Sequence, residues 1–368
     1  MFKRLARALR RVLRVLTRPV RRVGRRGGLV FEAYRGYGSR EEVFVIGRVY
    51  RQPGSSAEGS GVIHDLIAIG RLFLRYGVRD AGVTASFSGG EVRVVTDRDG
   101  YFRIHLQPAH PPPEDQVWHA MSLQLVEPEQ MQATVEIFIP PSTSRVVVIS
   151  DIDDTVMATG VANKAQMLWR LFVEGAQSRV AFPGVAAFLR ALHAGRSGNE
   201  MNPMLYVSRG PWTIYEMLDE FFNLHRIPVG PLLFLREWGV TLQSPLPRRA
   251  ENHKSELIGH MLDIYGDLPV VLIGDSGQLD PEIYARVVRE HPGRVVAVYI
   301  RNVSRGAKRP HAIDDLARQI ADSGSSMLLA ADTEAMAIDA AERGLIATEA
   351  HAAVHREREL SSEAAEGG

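Results

Sequence analysis

The chain lacks cysteine, long apolar runs and, over its first 28 residues, any acidic residue. Without cysteine, disulfide bonds and thiolate metal sites are excluded, and an intracellular setting is favoured. A membrane-spanning helix needs roughly 18 consecutive apolar residues, and no segment approaches that length. The 368 residues are enough for two domains, each with its own core.

The acid-free segment, residues 1–28, carries eleven Lys or Arg, so 33 basic and 43 acidic residues remain elsewhere. Its apolar residues recur three or four positions apart, which predicts an amphipathic helix: Phe2, Leu5, Leu9, Val12, Leu13 and Leu16. Interleaved arginines argue against a secretory signal. We expect residues 1–26 to contact an anionic membrane, placing a cytoplasmic protein peripherally at its surface. The alternatives are a solvated disordered arm, a transit peptide and a nucleic-acid-binding tail, although nucleic acid is not the expected partner.

Residues 29–145 are dominated by short runs of strand-forming residues between Gly, Asp and Pro. The runs are "EVFVIGRVY", "AGVTASFSG", "EVRVVTDRDGYFRIHL" and "QATVEIFIP". They predict an N-terminal antiparallel β-sandwich domain of immunoglobulin-like or transthyretin-like type. Asp99-Gly100 predicts a hairpin within the third run, and residues 107–115 are expected to form a loop.

Residues 146–347 alternate buried-strand and helix patterns, which predicts a doubly wound parallel sheet with helices on both faces. The predicted strands are Val146–Ile149, Met204–Val207, Val270–Ile273 and Val295–Ile300. The predicted helices are Val185–Leu192, Ile214–Leu224, Ser255–Tyr265 and Asp332–Ile346. Residues 348–368 form a polar tail that we expect to be disordered.

Polar residues follow three of these predicted strands. Asp151 follows the first strand in "VVVISDIDDT", Ser208 follows the second and Asp275 follows the third. Ligands of open α/β sheets bind outside the carboxyl ends of the strands, so these side chains are expected to converge. A helix predicted just after Ser208, with Pro211 near its first turn, would direct backbone N–H groups at an anion.

Clustered carboxylates ionise together only if a cation offsets their repulsion. A hard dication with oxygen ligands fits this requirement, and Mg²⁺ suits a phosphate substrate. Asp151 is then able to attack phosphorus, while Asp153, two residues on, transfers protons. The neighbouring Asp154 has no part in this scheme and is expected to be structural.

The motif "DIDDT" resembles the DxDxT signature of the haloacid dehalogenase-like (HAD-like) phosphatases. Further segments resemble the catalytic domain of the actin-patch-associated phosphatidate phosphatase family: "LWRLFVEGAQSRVAFPGV", "LYVSRGPWTIYEMLDEFF", "GPLLFLREWG", "HKSELIGHML" and "VVLIGDSGQLDPEIYARVV". The resemblance covers roughly residues 145–305. It implies an HAD-like fold and Mg²⁺-dependent hydrolysis of phosphatidate, an anionic phospholipid.

The resemblance also implies residue roles. Asp151 is the expected nucleophile and Asp153 the general acid and base. The expected phosphate-binding residues are Thr155, Ser208, Arg209 and Lys254. The expected Mg²⁺ site comprises the Asp151 carboxylate, the Asp153 backbone carbonyl, Asp275 and Asp280, the last either as a ligand or just behind the ligands. Arg209 departs from the family, which often has a small polar residue there, and is expected to contact phosphate or a lipid headgroup.

Short gaps between these residues leave no room for a large cap domain, which predicts an open site suited to a membrane-embedded substrate. Other phosphomonoesters remain alternatives, as does a non-catalytic membrane or interaction adaptor. The segment "GDSGQ" allows another hypothesis, in which Ser276 is the nucleophile of a serine hydrolase. That enzyme needs a histidine base, and His291, His311 and His351 lack a recognisable setting.

Overall fold

The computed structural model shows a mixed α/β protein in which an antiparallel sheet is followed along the chain by a parallel one. It describes residues 28–52, 75–152, 155, 182–208, 210, 212, 215–234, 250–266, 268–304, 306 and 308–366. The predicted amphipathic arm therefore lies outside the described residues, except for Gly28. None of the helices in these ranges is both long and apolar enough to cross a bilayer.

The first sheet contains nine strands in the described ranges. They are β1 (Gly28–Ala33), β2 (Gly36–Gly38), β3 (Val43–Gln52), β4 (Tyr76–Gly77), β5 (Gly82–Phe87), β6 (Gly90–Val95), β7 (Tyr101–Leu106), β8 (Trp118–Leu125) and β9 (Met131–Phe138). The main order is β1-β3-β2-β9-β8-β5-β6, with β4 and β7 also paired to β3. All pairs are antiparallel except β2 with β9. Buried and exposed residues alternate along β8, as expected for a sheet with one face on a core.

The predicted hairpin at Asp99-Gly100 is wrong. A turn does form, in which the Asp97 N–H donates to the Tyr101 carbonyl at 2.8 Å. The strands on either side of it pair elsewhere, β6 with β5 and β7 with β3. Phe102 and Ile104 of β7 are buried in the core of this sheet, so burial of β7 beside β3 overrides the local hairpin signal.

The second sheet is entirely parallel, which confirms the prediction. Its strands are β10 (Val147–Asp151), β11 (Met204–Ser208), β12 (Leu232–Phe234), β13 (Val270–Asp275), β14 (Val295–Arg301) and β15 (Met327–Ala330), in the order β12-β11-β10-β13-β14-β15. The described helices are α1 (Val185–Ala194), α2 (Tyr215–Leu224), α3 (Ala250–Ile264), α4 (Asp280–Glu290), α5 (Lys308–Ala321), α6 (Thr333–Glu342) and α7 (Ala350–Glu366). Every residue of β10, β11 and β13 is buried, as a sheet covered on both faces requires.

The polar tail is not disordered, which corrects the prediction for residues 348–366. It forms α7, and its one buried apolar side chain among the described ones, Val354, belongs to the same core as α1 and α6. Charged side chains fasten this helix: Arg190 pairs with Glu357 at 2.5 Å, and Arg358 pairs with Asp332 at 2.6 Å. The sequence did not predict this helix because the segment contains few apolar residues. The helix is stabilised instead by ion pairs to other elements and by the burial of Val354.

The antiparallel sheet contacts two helices of the parallel sheet. Tyr34 stacks on Trp212 at 4.3 Å, and Tyr215 of α2 accepts a hydrogen bond from the Arg35 N–H at 3.2 Å. Phe44 of β3 packs edge-on against His260 of α3 at 4.7 Å. Because α2 follows Ser208 and α3 carries Lys254, the antiparallel sheet supports two elements that border the carboxyl edge of the parallel sheet.

Candidate active site

Three predicted site residues end neighbouring parallel strands. Asp151 ends the central strand β10, Ser208 ends β11 on one side and Asp275 ends β13 on the other. None of the three is more than 1% exposed. The pattern of apolar runs closed by a polar residue therefore brings these side chains to one edge of the sheet, as expected from strand topology.

Three carboxylates gather at this edge. One oxygen each from Asp151, Asp275 and Asp280 lies within 4.8 Å of the others. Asp280 is the first residue of α4, immediately after the loop that follows β13. Buried carboxylates so close together repel unless cations compensate them, so this cluster requires positive charge.

Lys254 supplies part of that charge. Its Nζ donates to Asp151 Oδ1 at 2.8 Å and to Asp280 Oδ1 at 2.6 Å, and its side chain is fully buried. Burial lowers the pKa of Lys254, but the carboxylates of Asp151 and Asp280 outweigh it and hold that pKa well above its usual value. With all four groups ionised, three carboxylates and one ammonium leave a formal charge of −2, which a divalent cation would neutralise.

Hydrogen bonds orient the other two carboxylates. Asp275 Oδ1 accepts from the N–H groups of Gly277 at 2.7 Å and Gln278 at 3.0 Å, and Gln278 Nε2 donates to Asp275 Oδ2 at 3.0 Å. Asp280 Oδ2 accepts from the Asp275 N–H at 3.3 Å. Both Asp280 oxygens have protein donors, and one of these donors is Lys254, so Asp280 holds Lys254 beside Asp151.

The neighbouring hydroxyls differ in their partners. Ser208 Oγ accepts from the Gly210 N–H at 3.0 Å, which holds the start of the following loop. Thr155 Oγ1 is buried and has no hydrogen-bond partner among the described residues. Buried hydroxyl groups in native proteins are nearly always hydrogen-bonded, so the partner of Thr155 Oγ1 is either a residue outside the described ones or a ligand.

Some predicted site residues lie outside the described part of the chain: Asp153, Arg209 and, with its expected structural role, Asp154. The same holds for Pro211, whereas the described helix α2 begins only at Tyr215. The structure thus brings together Asp151, Lys254, Asp275 and Asp280, and the catalytic roles given to all these residues stay predictions.

Ser276 has the surroundings of a loop-forming residue. Its Oγ accepts from the Val303 N–H at 2.9 Å and the Ser304 N–H at 3.2 Å, and it contacts Ser304 Oγ at 3.2 Å. In the described ranges, no histidine is among its hydrogen-bond partners. A serine nucleophile needs a histidine within hydrogen-bond reach, so this geometry does not favour the serine hydrolase reading.

Sequence reasoning missed Gln278 and Arg309. Gln278 donates to Asp275, and Arg309 Nε donates to the Ser276 carbonyl at 2.8 Å. The segment "GDSGQ" does give a signal for Gln278, because it places an amide side chain three residues after Asp275. No sequence signal indicates the role of Arg309, because its partners in this loop are backbone carbonyls, which every residue type has.

The fold and the site define a mixed α/β protein with a buried acidic site at the carboxyl edge of its parallel sheet. Residues 146–302 match the family described as "Phosphatidate phosphatase APP1, catalytic domain". The predicted resemblance to that catalytic-domain family is thereby confirmed for this segment of the chain.

Two curated fungal proteins are similar over this region. "Phosphatidate phosphatase APP1" of Saccharomyces cerevisiae is 30% identical over 154 residues, covering 42% of this chain and 25% of that protein. An uncharacterized protein of Schizosaccharomyces pombe is 29% identical over 157 residues, with the same two coverages. The similar region thus amounts to a quarter of the length of each relative.

Similarity to solved structures is low. A carbohydrate acetylesterase from Xanthomonas citri is 11% identical, covering 77% of this chain and 72% of that one, with a TM-score of 0.25. A β-glucuronidase from Parabacteroides merdae is 9% identical, covering 82% and 39%, with a TM-score of 0.23. TM-scores of this size do not establish a shared fold.

Proposed function

We propose that this protein is a Mg²⁺-dependent phosphatase that hydrolyses a phosphomonoester through an aspartyl-phosphate at Asp151. The observation that carries the proposal is the buried cluster of Asp151, Asp275 and Asp280 around Lys254. The cluster lies at the carboxyl edge of a parallel sheet, within the segment that matches a phosphatase catalytic-domain family. An HAD-like α/β domain over residues 146–347, preceded by a β-sandwich over residues 29–145, is part of the proposal.

The metal fits the residues present. Asp151 and Asp275 would hold it, together with the backbone carbonyl of Asp153, while Asp280 fixes Lys254 beside them. Carboxylate and carbonyl oxygens are the ligands that Mg²⁺ prefers. When bound, the ion supplies positive charge that offsets the negative phosphoryl oxygens.

The protein residues carry the two chemical steps. An Asp151 oxygen attacks phosphorus, the bond from phosphorus to the substrate alcohol oxygen breaks, and protonated Asp153 gives its proton to that oxygen. The Asp153 carboxylate then takes a proton from water. The water oxygen attacks phosphorus, the bond to Asp151 breaks and inorganic phosphate leaves. Lys254, Thr155, Ser208 and Arg209 are the proposed contacts of the phosphoryl oxygens.

Phosphatidate is the proposed substrate, and diacylglycerol the product. The name of the Saccharomyces cerevisiae relative, a phosphatidate phosphatase, supports this choice. The proposed cellular setting is the cytoplasm, with residues 1–26 contacting an anionic membrane that contains the substrate.

Asp151→Asn tests the reaction type. The amide keeps the size of the carboxylate but loses the attacking charge, so turnover should fall by roughly three orders of magnitude or more. Phosphate release would be measured with phosphatidate, lysophosphatidate, sugar phosphates, nucleotides and an aryl phosphate, with Mg²⁺ and with EDTA. Circular dichroism would verify the fold.

Asp315→Asn, a matched change on the exposed face of α5, should retain wild-type turnover. EDTA should abolish wild-type activity, and Mg²⁺ should restore it. Wild-type turnover in Asp151→Asn would refute the mechanism. A wild-type protein inert toward every substrate with Mg²⁺ would instead indicate a non-catalytic adaptor.

A further inference from the structure

Arg309 lies seven residues beyond the family match and contacts the acidic loop, defined as residues 275–280. Its Nε donates to the Ser276 carbonyl at 2.8 Å, and its Nη2 donates to the Gln278 carbonyl at 2.5 Å. Nη1 and Nη2 along the outer edge of the guanidinium also pair with the two carboxylate oxygens of Glu282 in α4. One side chain of α5 therefore joins the acidic loop to the first turns of α4.

The contact with Ser276 continues directly to Asp275. In a trans peptide, the carbonyl of one residue and the N–H of the next point in opposite directions. The peptide unit between Ser276 and Gly277 receives Arg309 Nε at its carbonyl, while its N–H donates to Asp275 Oδ1 at 2.7 Å. Arg309 thus fixes the plane of the peptide unit whose N–H orients the Asp275 carboxylate.

Gln278 also contacts both Arg309 and Asp275, through two successive peptide units. Its carbonyl accepts from Arg309, while its N–H donates to the same Asp275 oxygen at 3.0 Å. Hydrogen bonds in series polarise one another. The Arg309 guanidinium at the Ser276 carbonyl therefore strengthens the Gly277 N–H, which belongs to the same peptide unit and donates to the Asp275 carboxylate.

We infer that Arg309 is a positioning residue that orients Asp275 for binding a divalent cation. The binding of the cation rests on the proposed function, whereas the orientation of Asp275 by Arg309 does not. A lysine at this position would keep the positive charge but would not make the same set of hydrogen bonds, because an ammonium group lacks the planar, fixed N–H donors of a guanidinium. A simple ion pair with Glu282 would instead stabilise the fold without affecting Asp275.

Two measurements on the full chain separate these roles. Hydrogen exchange of the backbone amides in residues 276–279 would be followed without metal in wild type, Arg309→Lys and Arg309→Met. We expect faster exchange in both variants at Gly277 and Gln278, while amides of β13 keep wild-type rates. Unchanged exchange at the acidic loop overturns the inference, whether or not the protein is a phosphatase.

The second measurement is the Mg²⁺ dissociation constant by titration calorimetry. Loss of a residue that orients a metal ligand typically weakens metal affinity 10- to 100-fold, so we expect about a 10-fold higher Kd in Arg309→Lys. The matched controls are Arg318→Lys and Arg318→Met, because Arg318 lies on the same helix and pairs only with the exposed Asp315 among described residues. Both controls should keep the wild-type Kd and exchange rates.

The outcomes distinguish the two proposals. Wild-type Mg²⁺ binding and turnover with an unchanged Kd in Arg309→Lys refutes the positioning role and leaves the phosphatase proposal standing. Faster exchange in the Arg309 variants together with a raised Kd supports the inference. A wild-type protein that binds no Mg²⁺ refutes the proposed metal dependence, and with it the metal-binding part of the role of Arg309.

Discussion

At the scale of single residues, the site depends on close approach as much as on charge. Gly274 stands directly before Asp275, and a Cβ added there would lie 2.5 Å from Asp280 Oδ2 and 2.8 Å from Tyr284 Cε2. Only a residue without a side chain lets Asp280 approach the backbone and accept the Asp275 N–H. The "GD" pair therefore has a packing reason in addition to the aspartate itself.

Gly274→Ala should test this close approach. The extra methyl group displaces Asp280 from Lys254, and overpacking of this kind costs about 1–3 kcal/mol of unfolding free energy. Urea denaturation would measure the loss, and phosphatase assays should show reduced turnover. Gly306→Ala is the matched control, because an added Cβ there meets nothing within 4 Å. Equal stability of the two variants would contradict the packing argument.

The candidate site was predictable where residue type carries the signal. Asp151, Ser208 and Asp275 each close a buried apolar run, and parallel strand topology brings such positions together. The bonds from Lys254 to both Asp151 and Asp280 were not predictable, because they depend on the placement of α3 over the sheet. The contacts of Arg309 were not predictable for a different reason: its partners at residues 276 and 278 are backbone carbonyls, which do not depend on residue type.

At the scale of secondary-structure elements, α2 connects the two sheets through a pair of acidic side chains. Glu216 in its first turn lies beside Glu32 of β1, whose Oε2 accepts a hydrogen bond from Tyr50 Oη at 3.3 Å. Burial, and then the neighbouring Glu32, raise the pKa of Glu216 to about 8. A proton on Glu216 thus relieves repulsion where the antiparallel sheet meets α2.

This shift predicts that stability falls as pH rises. The folded-state pKa of about 8 lies above the ordinary value of 4.5 expected in the unfolded chain. Below pH 4.5 both states are protonated at Glu216, so this group adds no pH dependence. Between 4.5 and about 8 the folded protein keeps a proton that the unfolded chain has lost, so the free energy of unfolding declines and then levels off.

Glu216→Gln should abolish this decline. Denaturant unfolding of wild type and variant at pH 6, 7 and 8.5 would measure it, with Glu220→Gln on the exposed side of α2 as the control. The control should follow the wild-type profile. A decline in Glu216→Gln as steep as that of wild type would assign the pH dependence to other groups.

Elements were predictable where periodicity was strong. The runs that became β3, β5, β10, β11 and β13 are apolar or alternating and bounded by turn residues. The short β12, with three residues, offers too little pattern, and α7 has too few apolar residues. Its contacts with Arg190 and Asp332 come from α1 and from the residue capping α6, so they exist only in the folded chain.

At the scale of the whole molecule, charge is divided unevenly along the chain. The first 28 residues have eleven basic side chains and no acidic ones, while the rest has 33 basic and 43 acidic residues. Each basic residue near an anionic membrane contributes on the order of 1 kcal/mol. The arm would therefore offset the repulsion between an acidic body and an acidic lipid surface.

Liposome flotation should show the effect of this arm. We expect the full chain to float with anionic vesicles, less so as salt rises, and a truncated chain starting at Gly28 to remain at the bottom. Both should hydrolyse a soluble short-chain phosphatidate at equal rates, because the arm contributes nothing to the proposed chemistry. Equal flotation of the two chains would exclude the arm as the membrane anchor.

The order of the parallel sheet has a consequence for synthesis on the ribosome. Central strand β10 has as neighbours β11 and β13, and Asp151 pairs with Lys254, 103 positions later. Chains emerge from the ribosome amino terminus first. A nascent chain therefore exposes its nucleophile candidate long before the lysine, the acidic loop and Arg309 exist, so the site is assembled only when translation of the α/β part is nearly complete.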